Sequence, residues 1–102
     1  MTAMLDMRAD HIVIVRDVLR KYLPLGARAF IFGSRAQGTA RLYSDLDLAL
    51  EWRQPIGLDV VGGIAEALSE SDLPYRVDIV DLSTVEPAFR ARIEADAIPL
   101  LA

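Results

Sequence analysis

The sequence predicts an α/β domain in which helices pack on a central sheet, and three observations carry that prediction. Apolar residues recur at helical spacing near the beginning, middle and end of the chain, short strand-like runs lie between them, and one run, residues 28–32, is apolar on both faces. Helix and strand signals that alternate in this way indicate a sheet with helices laid over it. A length of 102 residues gives one domain, residues 1–102, with a single core and little room for a second.

The elements follow in order. Ile12, Val15, Leu19 and Tyr22, widened by Val18 and Leu23, predict a helix over residues 7–23. Asp6 is placed to cap its start, Arg20 and Lys21 suit its last turn, and Pro24 and Gly26 end it. Residues 28–32 form a central strand. Residues 45–52 form the next, with Leu46, Leu48 and Leu50 on one face and Asp45, Asp47 and Ala49 on the other. A second helix spans residues 57–70, with Leu58, Val61, Ile64, Ala65 and Leu68 on its buried face. The Gly62-Gly63 pair inside it costs about 1 kcal/mol per glycine relative to Ala. Leu73-Pro74 breaks the chain, and residues 75–82 make a third strand. Ser83-x-x-Glu86 matches a capping box for a last helix carrying Val85, Phe89 and Ile93. Residues 98–101 add a short edge strand.

Composition excludes several functions. Hydrophobic residues at 53% and charged residues at 25% are globular rather than disordered proportions. No apolar run approaches the ~20 residues of a spanning helix, and no basic, apolar leader opens the chain. The absence of cysteine removes disulfides and thiolate metal sites and fits a cytoplasmic location. A net charge of −4 disfavours long nucleic acid as a partner, because backbone binding requires several phosphates to be neutralised. The single histidine, His11, leaves a His-based triad or His-rich metal site resting on one residue.

Chemistry concentrates between residues 30 and 50. Gly33-Ser34 follows a strand and opens a short helix, a junction that offers free backbone N–H groups and a hydroxyl to an anion. As a bare pair it also reads as an ordinary corner with Ser34 as a cap. Arg35 and Arg41 are candidate partners for phosphate oxygens. Asp45 and Asp47, two apart on a strand, share a face with Cα atoms about 6.5–7 Å apart, which suits one or two Mg²⁺ ions. Asp78 joins them if its strand lies beside theirs. Asp81 has the opposite parity and reads as a turn or cap residue. Three acids on neighbouring strands beside a phosphate-holding turn suit two-metal displacement at phosphorus.

Gly33-Ser34, ten residues, then Asp45-x-Asp47 and a later strand acid resemble the polymerase-β-like nucleotidyltransferase superfamily. The fuller Gly-Ser-Arg-Ala-Gln-Gly…Ser-Asp-Leu-Asp-Leu form, with the run from Asp72 to Asp81, is similar to its minimal (MNT) branch over nearly the whole chain. The resemblance implies a mixed sheet with flanking helices, ATP as substrate with two Mg²⁺ ions, and transfer of AMP. It implies that Asp45 and Asp47 bind both metals and that Asp78 binds the catalytic one and positions the nucleophile. Gly33 and Ser34 would contact the triphosphate. The branch is commonly paired with a small helical HEPN-type partner, as antitoxin to an RNase toxin, and can transfer AMP to a toxin tyrosine. Gln37 departs from the pattern, since relatives often carry a basic residue there.

Two other functions compete at this level. In one, the chain neutralises a toxin by occlusion alone; in the other, it is a catalytic subunit that adenylylates a small molecule. A chain of this size has no residues left over to hold the acceptor, so a second subunit is expected to supply it. Trp52 and Tyr75 are candidates for that interface or for core packing.

Overall fold

The computed structural model describes residues 5–101. Helix α1 (Ala9–Tyr22) buries Val15 and Leu19 and packs Ile12 and Val18 beside them, the stripe its spacing predicts. Arg20 and Lys21 stand in its last turn, the negative end of the helix dipole. The expected Asp6 cap does not form. Arg8 occupies the N-cap without a side-chain bond, and the Asp6 amide donates instead to the Arg35 carbonyl at 2.8 Å.

Four strands, β1 (Arg28–Phe32), β2 (Leu46–Glu51), β3 (Val77–Asp81) and β4 (Ile98–Leu101), form one sheet in the order β3-β2-β1-β4. β1 runs antiparallel to both β2 and β4, and β2 runs parallel to β3, so the sheet is mixed. Parallel neighbours need a crossover, and helix α3 (Leu58–Ser69) supplies it. β4 is the edge strand expected, and its Pro99 is tolerated because an edge has unpaired positions. The Arg16 Nε donates to the Leu100 carbonyl at 2.9 Å and ties that edge to α1.

The period of two divides the sheet into unlike faces. Ala29, Ile31, Leu46, Leu48 and Leu50 are buried under α1 and α3, with Val77 and Ile79 packed against the same cluster. The opposite face carries Phe30, Phe32, Ala49 and Val80, which meet Leu82 and Ile93. Ile93 belongs to helix α4 (Pro87–Asp96), so two helices cover the first face and one serves the second. The second face is the one that also carries Asp47 and Asp78.

Two helices differ from expectation. The contact stripe of α3 runs through Val60, Val61, Ile64 and Leu68, and Leu58, expected inside, is 89% exposed. Leu58 and Ala65 lie about a quarter-turn to one side of that stripe. Gly63 has a packing reason: a Cβ there would stand 3.2 Å from the Tyr22 ring, so the glycine admits α1 rather than the sheet. Gly62 meets nothing within 4 Å. The capping box also does not form. The Asp81 carboxylate takes the cap, accepting from the Ser83 amide at 3.0 Å and its hydroxyl at 2.8 Å, over a 3-10 turn at Leu82–Thr84. Proline disfavours helical backbone in the residue before it, so Glu86 is extended at ψ 147° and α4 starts at Pro87.

These positions separate in a stability measurement. Ile64→Ala should destabilise the fold by about 2–5 kcal/mol in urea unfolding, whereas Leu58→Ser should stay within about 0.5 kcal/mol of the parent.

Candidate active site

The acid-bearing face is set by register. Asp47 pairs with Phe32 on one side and with Asp78 on the other, so Asp47 and Asp78 lie side by side on parallel strands and point to the same face. Asp81 lies on the opposite face, as its parity requires. Its second carboxylate oxygen accepts from the Ile56 amide at 2.8 Å, which makes it a hinge-pin for two loops. Asp45 stands just before β2 rather than within it, in an exposed position.

β1 ends at Phe32, opposite Asp47, and the chain then turns sharply. Gly33 adopts φ 73° and ψ −150°, backbone that only glycine enters without strain. A Cβ at this position would overlap the Asp47 carboxylate and lie 3.2 Å from its Cγ. Gly33 is therefore fixed by both its conformation and its neighbour. Its carbonyl accepts from the Ala36 and Gln37 amides, each at 3.0 Å, which closes the short helix α2 (Ser34–Gln37). Ser34 opens α2, so Gly33 rather than Ser34 is the N-cap. With Ala36 and Gln37 already donating to Gly33, the amides left to an outside acceptor at the start of α2 are those of Ser34 and Arg35.

Electrostatics at this corner are unfavourable as they stand. Burial pushes the Asp47 carboxyl above the usual carboxylate range, and the negative charges of Asp78 and Asp45 push it further. Asp78 is engaged by Arg76, whose Nη2 lies 3.3 Å from Oδ1, an exposed pair of the kind worth at most about 1 kcal/mol. Among the described residues no three acid, Cys or His side chains converge into a ready metal cage. The expected three-acid cluster is thus not closed among the described residues: Asp47 and Asp78 stand side by side, and Asp78 pairs with Arg76. The donor chemistry nevertheless fits a hard divalent cation: carboxylate oxygens, crowded and short of positive charge.

Arg35 and Arg41 do not join the acids. The Arg35 side chain is buried, and its guanidinium donates to the carbonyls of Asp6, Leu42 and Ser44. It stacks 3.9 Å from the centre of the Tyr75 ring. A guanidinium so engaged is not presented to a phosphate, and its expected phosphate contact gives way to a structural one. Arg41 borders a separate groove, with Met7, His11 and Tyr75. His11 contacts the Tyr75 hydroxyl through Nδ1 at 3.2 Å, and Trp52 Nε1 donates to the Leu25 carbonyl at 3.2 Å. The Gln37 amide donates to Asp96 at 2.9 Å and links α2 to α4.

That link closes one side of a hollow of about 370 Å³ beside Gly33, lined by Phe32, Gly33, Gln37, Phe89, Arg92 and Asp96 among others. Arg92 brings a cation to this wall. Sequence reasoning missed it, since an arginine on an exposed helix carries no motif, and only the packing of α4 places it near Gly33.

Comparison with known proteins agrees with this architecture. The family model described as polymerase beta, nucleotidyltransferase, matches residues 15–102. The chain is 41% identical over 88 residues to a Haemophilus influenzae protein named "Probable protein adenylyltransferase MntA", a match that covers 86% of this chain and 76% of the relative. Among solved structures it is similar to a toxin–antitoxin complex with AMP-PNP, with TM-score 0.76, 25% identity and coverage of 93% of this chain and 74% of the other. It is also similar to a chain described as a minimal nucleotidyltransferase, with TM-score 0.69, 32% identity and coverage of 88% and 89%.

Two variants test the corner. Gly33→Ala should lose about 1–3 kcal/mol of stability, because its backbone conformation is nearly closed to other residues. Asp47→Asn should be more stable than the parent at neutral pH without divalent metal. A carboxyl with a raised native pKa contributes stability below its unfolded value of 3.8 and loses it as pH rises through the raised native value. The advantage of Asn should therefore vanish in thermal melts below pH 3.8.

Proposed function

The chain belongs to the polymerase beta nucleotidyltransferase family, and from that premise we propose that it transfers AMP from ATP to a protein acceptor with Mg²⁺. One observation supports this reading above the others. The Gly33 backbone lies against the Asp47 carboxylate, so the turn suited to phosphate and the acids suited to a cation meet at one point. Asp78, in register with Asp47, would bring a third carboxylate to that point.

Asp45 and Asp47 would hold both Mg²⁺ ions, and Asp78 would bind the catalytic one. Bound Mg²⁺ supplies Lewis-acid activation of the α-phosphoryl group and neutralises charge on the leaving pyrophosphate. The Gly33–Ser34 turn holds phosphate oxygens through its backbone amides and the Ser34 hydroxyl. Asp78 exchanges the exposed Arg76 for the site and orients the acceptor hydroxyl, taking up its proton. The acceptor oxygen bonds to the α-phosphorus as the bond to the β-phosphate oxygen breaks, and pyrophosphate departs with its electron pair.

The acceptor we propose is a tyrosine of a small helical HEPN-type toxin in the cytoplasm, which makes this chain the antitoxin. The naming of the Haemophilus relative as a protein adenylyltransferase supports protein modification. The toxin–antitoxin complex with AMP-PNP supports both an adenine nucleotide and a toxin partner. No helix among the described residues is long and apolar enough to cross a membrane.

Incubation with ATP, Mg²⁺ and the protein encoded by the neighbouring gene should add AMP to that partner at tyrosine, read by intact mass and peptide mapping. Asp45→Asn and Asp47→Asn should each lower the rate by at least about a hundredfold. Labelling that survives both substitutions would sink the mechanism, and toxin neutralisation by the unlabelling variants would point to occlusion.

A further inference from the structure

The segment that delivers Asp45 is a loop, and several hydrogen bonds hold it. Arg41 and Ser44 close it on themselves: the Ser44 amide donates to the Arg41 carbonyl at 3.1 Å, and the Arg41 amide donates to the Ser44 hydroxyl at 2.8 Å. Its outward side chains do not anchor it, since Leu42 and Tyr43 are exposed. The anchor is Arg35, only 5% exposed. Its Nη2 donates to the Ser44 carbonyl at 2.8 Å and the Leu42 carbonyl at 3.3 Å, and its Nε also reaches Ser44 at 3.2 Å. The third nitrogen, Nη1, donates to the Asp6 carbonyl at 3.0 Å and draws in the segment before α1. Tyr75, beside β3, backs the planar guanidinium at 3.9 Å.

The consequence lies at the two peptide groups that flank Asp45. The Ser44 carbonyl belongs to the peptide before Asp45 and is held by Arg35. The Leu46 amide belongs to the peptide after it and donates to the Arg76 carbonyl at 2.8 Å. With both peptide planes fixed, the φ and ψ of Asp45 are fixed, and so is the direction in which its side chain leaves the backbone. A buried guanidinium that satisfies carbonyls with several N–H groups is strong and rigid, and lysine cannot reproduce its fork.

We propose that Arg35 is the positioning residue of the cation site: it sets the aim of Asp45 by clamping the 41–44 loop, without touching nucleotide or metal itself. This inference rests on the reading of Asp45 as a cation ligand. Arg35 thus acts through the backbone, and its loss leaves all three acids in the chain while the peptide before Asp45 is no longer held.

The test uses Mn²⁺ as the probe, its binding followed by electron paramagnetic resonance on the full chain, together with hydrogen exchange. Arg35→Gln and Arg35→Lys should weaken Mn²⁺ binding by about tenfold or more, the usual loss when the support of a metal ligand is removed. Exchange should accelerate at residues 41–46 while α3 and β1 keep their protection. Loss of protection at 41–46 with unchanged Mn²⁺ affinity would overturn the proposal. If Arg35→Gln does not fold, Tyr75→Leu carries the test, because it removes the backing ring and leaves the carbonyl bonds possible; a selective rise in loop exchange with weaker Mn²⁺ binding supports the clamp, and unchanged affinity overturns it. Asp45→Asn separates the two claims. If it binds Mn²⁺ as tightly as the parent, the ligand role of Asp45 fails and the clamp's purpose with it; if it loses Mn²⁺ while the Arg35 variants do not, only the clamp fails.

Discussion

Everything at the candidate site depends on the close approach of the Gly33 backbone to the Asp47 carboxylate. Phe32 and Asp47 are opposed across antiparallel strands, so the first residue beyond β1 must pass directly over that acid. A side chain there has no room, and the turn that follows demands positive φ. Glycine resolves both constraints at once. The result is that the start of α2 is held at contact distance from a carboxylate.

That juxtaposition creates a conflict the fold does not resolve by itself. Asp47 is partly buried and faces two other acids, so ionisation is disfavoured where it is needed. A structural site would relieve the strain with a cation of its own, as the fold does at its other end, where Arg90 binds Glu51 and also donates to the Leu82 carbonyl. At the acid corner the nearest arginine on α2 turns away to satisfy carbonyls, and the Arg76 contact to Asp78 is exposed. Neither arginine therefore offsets the burial of the Asp47 carboxylate.

Much of this was legible in the sequence because it follows from parity and periodicity. The alternation in Leu46–Leu50 assigned Asp47 to one face, the opposite parity of Asp81 excluded it from the acids, and Asp78 fell into register once β2 and β3 paired. The mixed sheet and flanking helices agreed with the family resemblance. What local pattern could not reveal depended on tertiary context. Arg35, expected at phosphate, is buried instead, because its partners are carbonyls from residues 6, 42 and 44, and carbonyls leave no mark in a sequence. Leu58 matched a helical stripe but the neighbours of α3 select a different arc. Ser83 matched a capping box but Asp81 and Pro87 together moved the helix start by several residues.

The most direct measurement is anomalous scattering from crystals grown with Mn²⁺ and a non-hydrolysable ATP analogue. A manganese peak held by Asp45 and Asp47 is expected, with analogue phosphate oxygens bonded to the backbone amides that follow Gly33. A nucleotide bound elsewhere, or a manganese peak away from both aspartates, would contradict it.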